Sequence, residues 1–485
     1  MALAALSMIA ACHKTDKISS EEQEQRMTNY YVNAFAYNMM STYYLWVEEI
    51  SDAMSKWKVY DEPKSKIAEI RYKDSAGKDI DRWTMISDNI GDFLGSVTGN
   101  TKTYGMDIAL YRLKADSDEI VAVVRFTYAG SPAAEAGIKR GDVITKVNGK
   151  AITMNNYLDL VPDELLGGDN VILTLHDGRT VSLVSVNMYE NPVGPYTVFE
   201  HGGRKIGYLH FSGFTLDACD DLIEVCRKFK EEGIEELVLD LRYNGGGYVF
   251  TEGVLASMIA PESAVTAKEV FSTEVYNKTL TDAWGKEETR FDTSFTLNDE
   301  GERREYSTAG ANLGLSRLWV ITSSGSASAS ESLLCCLKPY MNITIVGEQT
   351  HGKYCGGIIT EAVKWYEAVK DDLDSELYEN GKEAVKGWGI YVMISRYADK
   401  DGVTISMPDG IAPDYPCEDD PTEKAQLGDP SEKMLSTVLA LMDGNVEEAT
   451  KSSLRPVPEL IPTEKFNARI LNGTPLAGHP VVKPL

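Results

Sequence analysis

Basic residues are in short supply in this sequence: 48 Lys and Arg stand against 74 Asp and Glu, for a net charge of −26. Such a surface repels phosphate backbones and anionic headgroups, which argues against nucleic acid as a partner. Cysteine and histidine are also scarce, with seven and six residues in 485. No CxxC pair and no metal-ligand spacing occurs among them, so no metal and no cofactor is implied. Cys219, Cys226, Cys335, Cys336, Cys355 and Cys417 read mostly as buried thiols, with a disulfide permitted in an oxidising compartment. No apolar run is long enough to cross a bilayer. What is present, 43% hydrophobic and 25% charged residues, is the profile of a soluble globular chain. At roughly 150 residues per domain its length suggests about three domains.

Residues 1–11, MALAALSMIAA, end at Cys12. Small residues before a cysteine resemble the lipobox of bacterial lipoproteins, in which the cysteine is lipidated, and the polar run HKTDKISSEEQEQR follows as a tether would. The departure from that pattern is that no Lys or Arg precedes the apolar run. The resemblance implies a lipid anchor at Cys12, the only contact with a membrane, and residence in the bacterial cell envelope, outside the cytoplasm.

Residues 21–57 carry aromatic and apolar side chains at helical spacing, and DRWTMISDNIGDFLGSV reads as a further helix that Gly99 and Asn100 stop. Residues 21–100 are therefore expected to be helical. Over 101–191 the texture changes to short strands such as VAVVRF and VILTLHDG. Within them SPAAEAGIKRGDVITKVNGKAI gives a Pro-capped helix, a stop at Gly137, a turn at Gly141-Asp142 and a hairpin at Asn148-Gly149. That run resembles a PDZ domain, which binds an extended peptide at a sheet edge and holds its terminal carboxylate on backbone N–H groups. The loop matching the peptide site contains Gly105, Met106 and Ile108.

From about residue 194 strands and helices alternate, as in KIGYLHFSGF, DACDDLIEVCRKFKEEG and IEELVLDLRYNGGG, which argues for a mixed or parallel sheet covered by helices. A polar stretch, residues 267–314, reads as a surface insertion, and VTISM as a strand. Residues 192–450 are expected to form this third unit, and 451–485 an irregular Pro-rich tail.

Residues 323–332, SSGSASASES, lie between the buried strand LWVIT and the apolar helix LLCCLKPYM. In isolation such a run is a Ser/Gly loop whose last serine caps the helix. Its placement puts a serine at a helix N-terminus, where free N–H groups and the dipole favour a developing negative charge. That is where an acyl-transfer nucleophile is useful. With imidazole scarce, Lys353 in GEQTHGKYCGG is the candidate base, provided burial lowers its pKa.

SASASE, followed by a helix, a strand and GE-x-T-x-GK, resembles the carboxyl-terminal processing peptidases, also called tail-specific proteases. The match covers the PDZ-like region and residues 194–420, including LDLRYNGGG and PDGIAPD. The resemblance implies an α/β multidomain chain: a helical N-terminal region, a PDZ-like β-rich domain and a crotonase-like α/β peptidase core. It implies that Ser328 is the nucleophile and Lys353, 25 residues further on, its base. Glu331 takes a structural or orienting role. Gly245 and Gly246 present a backbone N–H to the oxyanion, with that of Ala329 as partner. The substrates implied are proteins or peptides with exposed, flexible C-termini. One departure is that Gly357 stands where many members carry a glutamine that orients the lysine, leaving Thr350, Glu331 or His351 as substitutes.

Rival readings have specific weaknesses. Residues 347–353 fit G-x-x-x-x-G-K, but Tyr354 replaces the Ser or Thr that a nucleotide-bound metal needs, and CGG follows instead of a helix. A Ser-His pair through His351 lacks the G-x-S-x-G elbow. Cys355 has no His/Asn frame for a cysteine nucleophile. A catalytically weak or inactive peptide-binding scaffold is favoured by Gly357 and opposed by Ser328, Lys353 and NGGG together.

Overall fold

The computed structural model describes residues 19–112, 117–299, 302–404, 409–456 and 461–462; Cys12 and its flanks lie outside them. The alternation that begins near residue 194 builds a six-stranded sheet in the order Val193–His201, Arg204–Phe211, Glu236–Asp240, Arg317–Thr322, Asn342–Gly347, Tyr415–Pro416. The first pair is antiparallel and every later pair parallel. Both faces of the middle strands are covered, which is why Glu236–Asp240 and Arg317–Thr322 read as nearly unbroken apolar runs. Leu237, Leu239, Leu318 and Val320 face one core with the helices Ala218–Glu232, Val249–Ile259 and Ala329–Leu337. Val238, Trp319 and Ile321 face another with the helix Lys433–Met442.

A second sheet is organised by the strand Gly389–Ala398, which pairs antiparallel with Met85–Ser87, Cys355–Glu361 and Val270–Tyr276. It ties the N-terminal region to the segment that follows Lys353. The long helix Ser20–Tyr43 packs into the same core through Phe35, Met39 and Met40, beside Ile390 and Val392.

Four local expectations need correction. Residues 81–89 are not helical, and the helix covers Ile90–Thr98 only. Asp81 accepts hydrogen bonds from the N–H groups of Trp83 and Thr84, 2.9 and 3.0 Å, an Asx turn that competes with helix, and Met85–Ser87 is captured as a strand. The stretch 267–314 is no mere surface insertion, because Val270–Tyr276 is a largely buried strand and Phe271, Leu280 and Phe291 are core residues. Of VTISM, Val403 and Thr404 are not in a strand and the rest lies outside the described residues. Of the tail at 451–485, Lys451 to Ser453 end the helix Val446–Ser453, and Ile461–Pro462 pairs with Tyr111 and Arg112. All six cysteines among the described residues are free and buried. No helix among the described residues is long and apolar enough to cross a membrane.

The PDZ-like region follows its sequence signals closely. Ser131 caps the helix Pro132–Glu135, and positive φ at Gly137, Gly141, Asn148 and Gly149 makes the turns. Met106 and Ile108 are buried in its core. Gly105 has φ +73°, and a Cβ there would sit 2.1 Å from Ser131 Cβ.

This region locks onto the six-stranded sheet through buried charge. Arg140 donates to Asp419, 2.8 Å, to the Asp420 carbonyl, 3.0 Å, and to Tyr243 Oη. Asp419 also pairs with Arg242, which binds Asp240 and Glu432. Arg140→Ala is expected to cost about 2 kcal/mol, less than an orphaned buried charge, since Asp419 keeps Arg242. Urea unfolding of the full chain measures this, and an unchanged midpoint would show that the lock contributes no stability.

Candidate active site

Ser328 occupies the N-cap of the helix Ala329–Leu337 with φ 58° and ψ −115°. A positive φ at a residue with a Cβ is strained, by roughly 1–3 kcal/mol, and such positions collect at functional sites. The strand-to-helix turn around Ser328 is therefore a tight elbow although G-x-S-x-G is missing. Its Oγ is buried and has no hydrogen-bond partner, which is unusual for a hydroxyl at an N-cap. The strain is held by close packing: a Cβ on Gly246, φ +103°, would lie 2.7 Å from Ser328 Cβ, 2.8 Å from Ala327 O and 3.0 Å from Ala329 N. The close approach that requires glycine here is to the serine's own turn.

Glu331 joins this elbow to the lysine segment. Its carboxylate is fully buried and accepts from Ser328 N, 3.0 Å, Lys353 N, 2.8 Å, Gly352 N, 2.8 Å, and Thr350 Oγ1, 2.5 Å. Burial pushes the Glu331 pKa up, opposed by these four hydrogen bonds. Residues 22 positions apart in sequence, Glu331 and Lys353, are thus fixed to a common point. Thr350 is held in turn, since its Oγ1 accepts from Ile411 N at 2.7 Å, in the PDGIAPD run.

Lys353 is completely buried, and burial lowers its pKa to about 8, against the raising influence of Cys355, Glu331 and Asp81. Its Nζ donates to Tyr391 Oη at 3.0 Å and lies 5.2 Å from the Tyr391 ring centroid and 6.0 Å from that of Trp83. Neither aromatic stands in a motif that marks it as a site residue. Trp83 belongs to the segment read as helix, and Tyr391 is an ordinary aromatic in an apolar strand; only its strand neighbour's run of glycines hints at a large side chain packed there. Ser328 Oγ and Lys353 Nζ are not hydrogen-bonded to one another in this state. Of the proposed substitutes for a lysine-orienting glutamine, Glu331 and Thr350 bond each other and backbone. The His351 ring faces Trp83, with centroids 6.2 Å apart. Burial, with Arg82 and Lys353, lowers the His351 pKa to about 4.

The glycine loop is set by Asn244, whose amide donates to Phe211 O, 2.9 Å, and accepts from Gly246 N, 2.8 Å. The Gly246 N–H is therefore engaged in this state. Ala329 is the first helical residue, where an N–H has no intrahelical acceptor. Cys355 is buried against Met393, and burial pushes its thiol far up, which removes it as a nucleophile. The residues after Lys353 form the strand Cys355–Glu361, with no helix to cradle a phosphate. No cluster of metal-ligating side chains exists among the described residues.

Residues 205–417 match the model of peptidase family S41. That match covers less than half of the chain. Residues 123–165 match the model of a PDZ domain. The chain is a serine-type peptidase, as the SASASE and GK motifs implied, and its α/β multidomain fold is as expected. A carboxyl-terminal-processing protease of Synechocystis is 26% identical over 373 residues, 76% of this chain and 74% of that protein. A probable CtpA-like serine protease of Staphylococcus aureus is 30% identical over 224 residues, 46% of this chain and only 40% of that protein. The crystal structure of a putative S41 protease from Bacteroides fragilis shares the fold, with a TM-score of 0.64 and 22% identity, over 84% of this chain and 96% of that one.

Proposed function

We propose that Ser328 and Lys353 are the catalytic dyad of this peptidase and that it cuts flexible polypeptide tails. The observation that carries the reading is Glu331, one buried carboxylate bonded to the N–H of both residues. Neutral Lys353 takes the proton of Ser328, whose Oγ attacks the peptide carbonyl. The proton passes to the leaving amine, and water then releases the acyl group from Ser328. The N–H of Ala329 and the backbone of Gly245 and Gly246 stabilise the oxyanion, the Gly246 N–H turning from Asn244 as substrate enters. A resting site whose hydrogen bonds tighten only around substrate fits the unpartnered Ser328 hydroxyl.

In this reading residues 101–191 capture the substrate's end through the backbone at Gly105 and the start of the strand Met106–Arg112, where Met106 and Ile108 turn their side chains into the core, and residues 192–450 cut it. Residues 21–100 wall the lysine, and 451–485 are a tail. A lipid anchor at Cys12, residues 1–20 serving as signal and tether, would hold the enzyme in the cell envelope, where exposed tails of exported proteins are the available substrates.

The test is acylation. The chain is incubated with a serine-reactive fluorophosphonate, digested and weighed by mass spectrometry, beside Ser328→Ala and with an unfolded protein as cleavable substrate. Label on Ser328, with both label and cleavage absent in the variant, is the expected result. Cleavage that survives in Ser328→Ala assigns the chemistry to another residue.

A further inference from the structure

We propose that Tyr391 is the positioning residue for Lys353, holding Nζ in the direction from which it takes the serine proton. This rests on the dyad reading above and adds to it a residue outside the motifs. The Tyr391 oxygen accepts from Nζ at 3.0 Å, and the ring lies beside the amine, 5.2 Å from centroid to nitrogen. A neutral amine has one lone pair and two N–H bonds. Fixing one N–H on a rigid acceptor leaves the lone pair fewer directions, so the rigidity of that acceptor decides how well the base is aimed.

Tyr391 is rigid for reasons visible in the strands. It is fully buried near the start of the strand Gly389–Ala398, where that strand is paired on both sides, with Met85 on one and Ile359 on the other. Phe93 packs on its ring, with centroids 5.3 Å apart. Gly357 supplies the room: a Cβ there would lie 2.8 Å from Tyr391 Cε2, 2.4 Å from Met393 Cε and 2.7 Å from Val392 O. The strand register slips between Gly356 and Gly357, a bulge next to the lysine segment, which is where bulges re-aim side chains. Glycine at 357 and tyrosine at 391 are thus two halves of one arrangement: no side chain can approach the lysine from 357, and the phenol from the neighbouring strand occupies that space. On the other side Trp83 of the N-terminal region lies beside the amine, 6.0 Å from ring centroid to nitrogen.

Tyr391→Phe keeps the ring and its packing and removes only the oxygen. Two readouts decide the proposal. The first is the pH dependence of tail cleavage: kcat is expected to fall roughly 10- to 100-fold with KM changed less than about threefold, since one hydrogen bond to a near-charged group is lost. Because the tyrosine oxygen favours the protonated amine, its loss moves the activating pH midpoint to lower pH. The second needs no turnover: in protein carrying 13C at lysine Cε, the resonance that vanishes in Lys353→Met is titrated, and its midpoint moves down in Tyr391→Phe. Gly357→Ala, which pushes the ring aside, is expected to reproduce both changes. An unchanged lysine titration and unchanged kcat in Tyr391→Phe overturn the proposal. If the parent's cleavage does not depend on Ser328, the dyad reading fails instead, and the lysine titration still decides whether Tyr391 controls Lys353.

Discussion

Lys353→Met is expected to reduce kcat/KM for an unfolded protein by about ten-thousand-fold, the upper range for a positioned general base, and to make the fold more stable at pH 6. Both effects come from burial. At a pKa of about 8 the amine is neutral in roughly a tenth of molecules at pH 7. The parent's kcat/KM should therefore rise close to tenfold per pH unit below 8 and level off above 9. The stability effect has the opposite sense. The folded-state pKa lies below the ordinary lysine value of 10.5, so between about 8 and 10.5 the unfolded chain binds more protons than the folded one. Stability from this group is fully present above 10.5, falls as pH drops through that window, and below 8 is diminished by about 3 kcal/mol. Methionine fills similar volume with no charge to desolvate, and restores that amount at pH 6 but little at pH 10. Urea titrations of both proteins at the two pH values, with a steady-state pH profile of the parent, measure it. A parent profile flat from pH 6 to 9 would mean that Lys353 is not the base.

The second large effect is at Glu331. Glu331→Ala strips acceptors from the buried N–H groups of Ser328, Gly352 and Lys353 and from the Thr350 hydroxyl. Each orphaned buried donor costs about 1–3 kcal/mol, less what water entering the vacated space recovers, so a loss of about 4 kcal/mol is expected. Cleavage should vanish as well, because the elbow at Ser328 and the lysine segment then lose their common anchor. Glu331→Gln separates charge from geometry. Each carboxylate oxygen accepts two of the four bonds, and an amide turns one oxygen into a donor facing N–H groups, so the variant is expected to lose about half as much stability and still be inactive. Full activity in Glu331→Gln, measured beside its urea midpoint, would sink the claim that this carboxylate assembles the site.

Much of this was legible in one dimension. The middle peptidase strands announced themselves as apolar runs because both their faces are covered, and the turns of the PDZ domain did so because Gly137, Gly141, Asn148 and Gly149 adopt positive φ. Ser328, Glu331 and Lys353 could be chosen because they stand in compact motifs. Where local chemistry competed with periodicity the reading failed: Asp81 breaks the helix its neighbours suggest, and the polar composition of 267–314 hid the buried strand Val270–Tyr276.

The sequence by itself determined the chemistry on offer: a serine at a helix N-terminus, a lysine beyond the next strand, glycines that permit close backbone approach, and a peptide-binding module before them. Only the tertiary structure decided the state of those groups. Whether Lys353 is buried, which carboxylate joins it to Ser328, and that Tyr391 and Trp83 lie beside it depend on strands that pair across more than 300 residues, Met85 with Tyr391. A lysine's pKa and a serine's strain are properties of what surrounds them, and those surroundings are assembled from segments that carry no sign in sequence of one another.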